Sequence, residues 1–271
     1  MDNLGGTTTS DDGTPLAYER RGDGPPLVLV SGALCTGASE ARLAELLAPH
    51  FATYTYDRRG RGDSGDADRY AVEHEVEDLA AVIDTAGGSA AVHGMSSGGA
   101  LALEAAAAGL PITRLSVYEP PYRTDPAGCE AFTAQTGRLT RLLADGRRGD
   151  ALTLFMSETP PPELAGLRAS PLWPALEALA PTLPYDHAVL GDGRLPAERL
   201  STLTTRVLVI HGGASPAWLR DTARAVAHAL PNARHSTLTG QTHSVAPQVL
   251  APSLVDFFGD GGGNGGGGNG N

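Results

Sequence analysis

A serine flanked by glycines, in Gly94-Met95-Ser96-Ser97-Gly98, has the spacing expected of a nucleophile on a sharp turn. Residues 90–93 before it predict a short apolar strand, and residues 97–108 after it predict an Ala- and Leu-rich helix. A tight strand-to-helix turn needs glycine two residues to either side, because side chains there would collide. The turn exposes the Ser96 hydroxyl, and the helix N-terminus favours negative charge beside it.

A serine hydroxyl becomes a good nucleophile only when a neighbouring base takes its proton. Of the eight histidines, His243 follows the last predicted strand and is the candidate base and later acid. His93 and His211 flank strand ends near the site, and we assign them to packing or to supporting hydrogen bonds. The other histidines lie on predicted helices, in an insertion or on the surface and are predicted to be solvated: His50, His74, His187, His228 and His235.

Three further stretches, in order along the chain, carry a resemblance to a known fold family. Val30-Ser31-Gly32-Ala33 stands where that family usually has His-Gly-x after its third strand, and the loop from Asp57 to Ser64 matches its D-x-R-G-x-G-x-S pattern closely. Gly240-Gln241-Thr242-His243 stands where the family keeps its catalytic histidine. Together with the serine turn, these motifs make the sequence from Leu16 to Phe258 resemble a serine hydrolase of the α/β-hydrolase fold superfamily.

The resemblance implies an oxyanion hole made of two backbone N–H groups. Ser97 would supply one donor and Ala33 the other, with Leu34 as the alternative one residue further on. Leu34 and Met95 are also predicted to contact the substrate. Trp173 is predicted either to line an acyl pocket or to pack inside the insertion.

The acid of the implied triad departs from the common pattern of the family. The loop that usually carries it reads His211-Gly212-Gly213-Ala214-Ser215-Pro216 and has no carboxylate. Some branches place the acid after the preceding strand, where this chain has Glu119, so the implied order is Ser96, Glu119, His243. Asp186 and Asp192 of the insertion are weaker candidates.

The elements that must position these residues alternate along the chain. Short runs predict strands at 16–21, 27–30, 52–56, 90–93, 115–118, 206–210 and 236–238. Helical spacing appears at 40–47, 71–86, 97–108, 216–230 and 246–258. Short strands separated by helices are typical of an α/β protein with a mostly parallel central sheet that helices cover on both faces.

Residues 120–200 interrupt this alternation, because they are rich in proline and contain no convincing strand. We predict a helical cap or lid there, lying over the C-terminal ends of the strands. Residues 1–119 and 201–258 would then form the α/β core. Residues 259–271 contain only Gly, Asn and one Asp, which predicts a disordered tail.

The composition excludes several classes of function. All 20 basic side chains are arginine, and without lysine the chain cannot form a Schiff base or complete a P-loop. The net charge of −11 argues against binding to nucleic acid or to an anionic membrane. Arg58 and Arg61 are predicted to form surface ion pairs, with a grip on an anionic substrate as the alternative.

Targeting and metal signals are also lacking in the sequence. The first 24 residues are polar, no apolar run is long enough to span a bilayer, and Cys35 and Cys129 are expected to be reduced thiols. We therefore expect a cytoplasmic protein. There is no H-E-x-x-H pattern or close Cys/His cluster, and a serine with a histidine base needs no metal and no cofactor.

Three functions remain open at this stage. The first is hydrolysis of an ester, lactone or thioester of a small apolar molecule through an acyl-enzyme on Ser96. The second is a non-hydrolytic reaction on the same fold, such as that of a lyase, a perhydrolase or a biosynthetic cyclase. The third is ligand binding without catalysis, which the missing acid in the usual loop would favour.

Overall fold

Strands and helices alternate in the computed structural model, which describes residues 4–259. The strands are β1 (Leu4–Thr9), β2 (Pro15–Arg21), β3 (Pro26–Val30), β4 (Ala52–Tyr56), β5 (Ala90–Met95), β6 (Ile112–Tyr118), β7 (Val207–Gly212) and β8 (Ala233–Leu238). The helices of the core are α1 (Ala41–Leu47), α2 (Val72–Thr85), α3 (Ser97–Ala107), α10 (Ala217–Ala229) and α11 (Pro247–Gly259). Between β6 and β7 lie α4 (Pro126–Ala144), α5 (Arg148–Phe155), α6 (Pro161–Arg168), α7 (Trp173–Leu179), α8 (Leu183–Val189) and α9 (Ala197–Leu200). Short 3-10 helices span Gly37–Glu40 and Ala180–Thr182.

The strands form one eight-stranded sheet in the order β1-β2-β4-β3-β5-β6-β7-β8. Strands β3 to β8 run parallel to one another. At one edge, β2 pairs antiparallel with β4, and β1 pairs antiparallel with β2. This confirms the predicted mostly parallel α/β sheet. Apart from Gly259, the predicted disordered tail lies outside the described residues.

The central strands are apolar at nearly every position because both of their faces are buried. In β3, Val28 and Val30 face one hydrophobic cluster, and Leu27 and Leu29 face the other. Helices α2, α3 and α10 cover the first face, and α1 and α11 cover the second. Successive side chains of a strand point to opposite faces, so one continuous apolar run supplies both layers.

Strand β1 was not predicted from the sequence, and β8 starts earlier than predicted. Gly5 and Gly6 weaken the strand signal of β1, but β1 pairs with β2 across a tight turn in which the N–H of Gly13 donates to Ser10 O. The Asp-Gly pair at Asp12-Gly13 is a hairpin signal that would have identified this strand. Strand β8 begins at Ala233 rather than Ser236 and pairs with β7 along its whole length.

Helices α4 to α9 build a hydrophobic cluster of their own beside the sheet. Leu139, Leu152, Trp173 and Leu183 form its buried centre. Helix α4 begins sharply, because Asp125 accepts a hydrogen bond from the N–H of Gly128 at 2.8 Å and proline follows the cap. The cluster also packs on Ala33 and Leu34, in the loop after β3. It therefore reaches the edge of the sheet where the parallel strands end.

None of the helices within residues 4–259 combines the length and the apolar character that crossing a membrane requires.

Candidate active site

Ser96 lies on a strained turn between β5 and α3. Its φ of 55° and ψ of −124° fall in a region that non-glycine residues rarely adopt. The flanking glycines are required by space: a Cβ on Gly94 would lie 2.4 Å from the carbonyl oxygen of Gly98, and one on Gly98 would lie 2.4 Å from that of Val30. The N–H of Ser96 donates to Tyr118 O at 2.8 Å and ties the turn to the neighbouring strand.

Positive φ angles at non-glycine positions are concentrated at this edge of the sheet. Among the described residues, Leu34, Ser96 and Glu119 are the ones that adopt them, at 57°, 55° and 46°. They follow β3, β5 and β6, so each lies where a central parallel strand ends. Such strain persists only where the surrounding packing and hydrogen bonds enforce it, and it is concentrated at functional sites.

The structure brings Ser96, His243 and Glu119 into one chain of hydrogen bonds. Nε2 of His243 lies 3.1 Å from Oγ of Ser96, and Nδ1 lies 2.7 Å from Oε2 of Glu119. Glu119 is fully buried, whereas the side chain of His243 is 40% exposed. An imidazole held in this way can take the serine proton on one nitrogen while a carboxylate faces the other.

Glu119 is held as a charged carboxylate despite its burial. Burial by itself raises the pKa of a carboxyl group, but here hydrogen bonds outweigh it and hold the pKa of Glu119 below its usual value. The contact with His243 contributes most to this lowering, and the N–H of Gly212 donates to Oε1 at 2.8 Å. Glu119 therefore keeps its charge at neutral pH.

Hydrogen bonds from two sides fix the loop that carries His243. The hydroxyl of Tyr118 donates to Thr242 O at 2.6 Å, and the N–H of Ala246 donates to Oε1 of Gln241 at 2.9 Å. The N–H of Ala214 donates to Gln241 O at 2.8 Å, so the loop after β7 supports the loop after β8. These hydrogen bonds together set the height of the imidazole above Ser96.

Ala33 and Ser97, the candidate oxyanion donors, both border the cavity in front of Ser96. Ser97 is the first residue of α3, so its N–H has no acceptor within the helix. The N–H of Ala33 has no hydrogen-bond partner among residues 4–259. Gly32 makes the close approach possible, because a Cβ there would lie 3.0 Å from Cβ of Ser96.

Arg58 and Arg61 are buried beneath this site, so the prediction that they form surface ion pairs was wrong. Arg61 is 1% exposed and donates to Gly32 O at 2.7 Å and to both carboxylate oxygens of Asp186. Arg58 is fully buried and bonds both Glu75 and Asp186. A guanidinium tolerates burial when carboxylates and carbonyls satisfy its donors, and α2 and α8 supply those carboxylates.

Asp186 and Asp192, the alternative acids, lie away from His243. Asp186 bonds Arg58, Arg61 and the hydroxyl of Ser97, and Asp192 is exposed near Arg194. The hydroxyl of Ser97 donates to Oδ1 of Asp186 at 2.7 Å. Neither carboxylate shares a hydrogen bond with His243 in the described structure.

A cavity of about 360 Å³ opens in front of Ser96 and His243. Its volume suits a small ligand. The core contributes one wall and the helices between β6 and β7 contribute the other. Its apolar lining consists of Ala33, Pro121, Phe132, Phe155, Met156, Leu190, Pro216, Trp218 and Leu219. Its polar lining consists of Ser96, Ser97, Arg123, Gln135, Glu158, Thr159, Asp186, His187 and His243.

Three residues predicted to contact the substrate do not border this cavity. Trp173 is buried in the hydrophobic cluster of helices α4 to α9 and lines a separate groove with Arg168. Met95 is the last residue of β5 and packs against the hydrophobic cluster on the face of the sheet that α1 and α11 cover. Leu34 packs against the helical cluster.

Most of the residues that line the cavity, including His187, were not predicted from the sequence. His187 was predicted to be solvated, but it is 3% exposed and stacks on Phe132. Its local sequence carries no signal of this burial, which depends on how α8 packs on α4. Arg123 was also missed; it lies over the ring of Trp218 at 3.8 Å.

Residues 4–259 contain no cluster of three or more His, Cys, Asp or Glu side chains that is suited to holding a metal ion.

Comparison with known proteins assigns the chain to a family. Residues 27–251 match the sequence profile of the Alpha/beta hydrolase family. No curated protein matches the chain. Among solved structures, the chain is similar to an alpha/beta hydrolase from Sphaerobacter thermophilus, with 57% identity and a TM-score of 0.86. That alignment covers 93% of this chain and 100% of the other.

More distant structures share the fold. A thermophilic esterase from Thermogutta terrifontis aligns with 21% identity and a TM-score of 0.70, covering 96% of this chain and 99% of the other. An enol-lactonase from Burkholderia xenovorans aligns with 22% identity and a TM-score of 0.71, covering 94% and 100%. The family profile spans most of the folded chain, and the neighbours reproduce its sheet and helices. The chain therefore belongs to the alpha/beta hydrolase family.

Proposed function

We propose that this protein is a serine hydrolase that cleaves an ester, lactone or thioester of a small, mostly apolar molecule through an acyl-enzyme on Ser96. The proposal rests above all on the 3.1 Å contact between Oγ of Ser96 and Nε2 of His243 at the mouth of a cavity. The buried carboxylate of Glu119 behind His243 supports it. The fold shared with an esterase and an enol-lactonase is consistent with this class of substrate.

In the first half of the reaction, Oγ of Ser96 attacks the carbonyl carbon while Nε2 of His243 takes its proton. Glu119 stabilises the imidazolium that forms and keeps Nδ1 protonated. The N–H groups of Ala33 and Ser97 receive the developing oxyanion. His243 then gives its proton to the leaving oxygen or sulfur. An ester or thioester releases its alcohol or thiol, whereas a lactone ring opens and its new hydroxyl stays on the acyl chain bound to Ser96.

In the second half, water replaces the leaving group and the same residues act in reverse. His243 takes a proton from water, the hydroxide attacks the acyl carbon, and Ser96 recovers its proton as the acid is released. The partial exposure of His243 gives water a route to the acyl-enzyme.

The cavity lining supports a small, mostly apolar substrate. Phe132, Phe155 and Leu190 come from residues 120–200, whereas Ala33 and Trp218 come from the core. We therefore propose that residues 120–200 act as a cap and select the substrate by the shape of the cavity. The volume of about 360 Å³ favours short acyl or alcohol groups over long lipid chains.

Labelling with a fluorophosphonate probe tests the proposal directly. The wild type should bind one probe per chain at Ser96, and Ser96→Ala should bind none. Ser157→Ala, which removes an exposed serine, should label like the wild type. Absence of labelling in the folded wild type would contradict the proposal and favour a ligand-binding protein.

A further inference from the structure

His187 is a buried polar residue on the cap wall of the cavity, and the proposed mechanism does not use it. It belongs to α8, is 3% exposed and borders the same cavity as Ser96. Its ring stacks on Phe132 with 4.6 Å between centroids and 16° between planes. Stacking fixes the plane of the imidazole, so its two nitrogens point in set directions.

Thr136 determines which nitrogen of His187 carries the proton. Oγ1 of Thr136 lies 2.6 Å from Nδ1 of His187, and the same hydroxyl donates to Phe132 O at 2.9 Å. A hydroxyl has one hydrogen, and here the backbone carbonyl receives it. In this arrangement Oγ1 accepts from His187 and the ring proton lies on Nδ1, whereas a hydroxyl that donated to Nδ1 would put the ring proton on Nε2. With the proton on Nδ1, Nε2 is left with a lone pair.

Nε2 of His187 has no hydrogen-bond partner among the described residues. Burial lowers the pKa of His187 and outweighs the nearby Asp186 carboxylate, which would raise it, and Arg123 adds to the lowering. The ring is therefore neutral at neutral pH. A lone pair on a cavity wall can accept from water or from a ligand, and a ligand that displaces water there must bring a donor to avoid leaving the nitrogen unpaired.

Several other polar groups of the cap wall already have partners. The guanidinium of Arg123 stacks over Trp218 and lies 3.7 Å from the Glu158 carboxylate, and Trp218 donates to that carboxylate at 3.0 Å. The amide nitrogen of Gln135 donates to Leu154 O at 3.1 Å. The amide oxygen of Gln135 has no donor among the described residues, but that side chain is half-buried. His187 differs from it in being 3% exposed and held in plane by the stack on Phe132.

We propose that Nε2 of His187 accepts a hydrogen bond from a hydroxyl or N–H group of the substrate, so the preferred substrates are esters, lactones or thioesters that carry such a donor. This inference rests on the proposed function and narrows its substrate class. A site built to bond a substrate hydroxyl discriminates against the analogue that lacks it more strongly than an apolar pocket does.

Paired esters test this specificity. 4-Nitrophenyl butyrate would be compared with 4-nitrophenyl esters that carry a hydroxyl at successive positions of the acyl chain, using wild type and His187→Phe. Phenylalanine keeps the stack on Phe132 and removes the acceptor. At one position, the wild type should show kcat/KM at least about tenfold above that for butyrate.

His187→Phe should remove this preference, so the ratio of kcat/KM for the hydroxylated ester to that for butyrate should fall to about one. A wild type without preference for any hydroxylated ester, or a preference that survives His187→Phe, would overturn the inference. Either result can occur in an enzyme that labels at Ser96 and cleaves butyrate. Failure of the inference is thus distinguishable from failure of the proposed function.

The proton position can be measured without any activity. In protein containing ¹⁵N-labelled histidine, NMR should show Nδ1 of His187 protonated and Nε2 unprotonated, with His187→Phe identifying the signals. Thr136→Val should abolish this bias, whereas Thr133→Val, on the exposed side of the same helix, should preserve it. A proton on Nε2 in the wild type would overturn the proposal, because that nitrogen would then be a donor.

Discussion

Backbone strain at Leu34, Ser96 and Glu119 connects the amino-acid sequence to the chemistry of the site. The positive φ angle at each of these residues costs about 1–3 kcal/mol relative to a relaxed conformation. The strained turn at Ser96 was predictable, because glycines two residues away are a local signal. Strain at Leu34 carries no comparable signal, because it depends on the helices that pack on the loop.

Glu119→Gln should lower kcat by about 10³–10⁴-fold. Glutamine keeps the size of the side chain but cannot balance the charge on the imidazolium. Its amide also favours the wrong tautomer of His243, because an N–H facing Nδ1 displaces the proton there. Steady-state kinetics with a simple ester measures the loss, and circular dichroism checks that the fold is kept.

A second substitution in the same background separates the charge of Glu119 from its position. Ser215 is buried beside Glu119 in the loop after β7, where the family usually places the acid. Ser215→Asp added to Glu119→Gln should restore part of the lost rate. Near-full activity of Glu119→Gln by itself would show that Ser96 and His243 work without this carboxylate.

At the scale of elements, the short helix Gly37–Glu40 carries an unusual acid. Glu40 is 8% exposed and precedes α1, and burial raises its pKa to about 7. The folded state therefore holds the proton more tightly than the unfolded chain, whose carboxyl has a pKa near 4.3. The free energy of unfolding should fall as pH rises from about 4 to about 7 and stay lower above that.

Glu40→Gln should remove this pH-dependent cost. The variant is expected to match the wild type at pH 4 and to exceed its free energy of unfolding at pH 8 by about 1–3 kcal/mol. Urea unfolding at the two pH values measures the difference. Glu130→Gln, an exposed substitution on α4, should change little at either pH. Equal free energies of unfolding for Glu40→Gln and wild type at pH 8 would mean that the pKa of Glu40 is the same in the folded and unfolded states.

Elements with a periodic pattern could be predicted, and those whose pattern is weak could not. Strands β3 and β7 are apolar at consecutive positions because helices cover both faces, and this signal is contained in the strand itself. Strand β1 is an edge strand with two glycines, so its partner β2 specifies it more than its own residues do. The lining of the cavity depends on how helices far apart in sequence meet, which no local pattern encodes.

At the scale of the whole molecule, one buried ionic cluster joins the core to the proposed cap. Asp186 of α8 reaches Arg58 and Arg61, which follow β4, and Ser97, which begins α3. Burial would raise the pKa of Asp186, but Arg61 and Arg58 outweigh it and lower that pKa. Its carboxylate therefore contributes stability above pH 4, and this contribution is lost only as pH falls through the lowered pKa.

Asp186→Asn should lower the free energy of unfolding by about 3–5 kcal/mol at pH 7, because removing one partner of a buried ion pair leaves the remaining charges uncompensated. Asp221→Asn breaks a pair with Arg224 in which both side chains are more than half exposed, and it should cost less than about 1 kcal/mol. Urea unfolding of the two variants makes the comparison. Similar small losses in both would show that water reaches the cluster around Asp186. A large loss confined to Asp186→Asn would show that the cap is anchored through charge as well as through its apolar contacts, so cap and core should unfold together rather than separately.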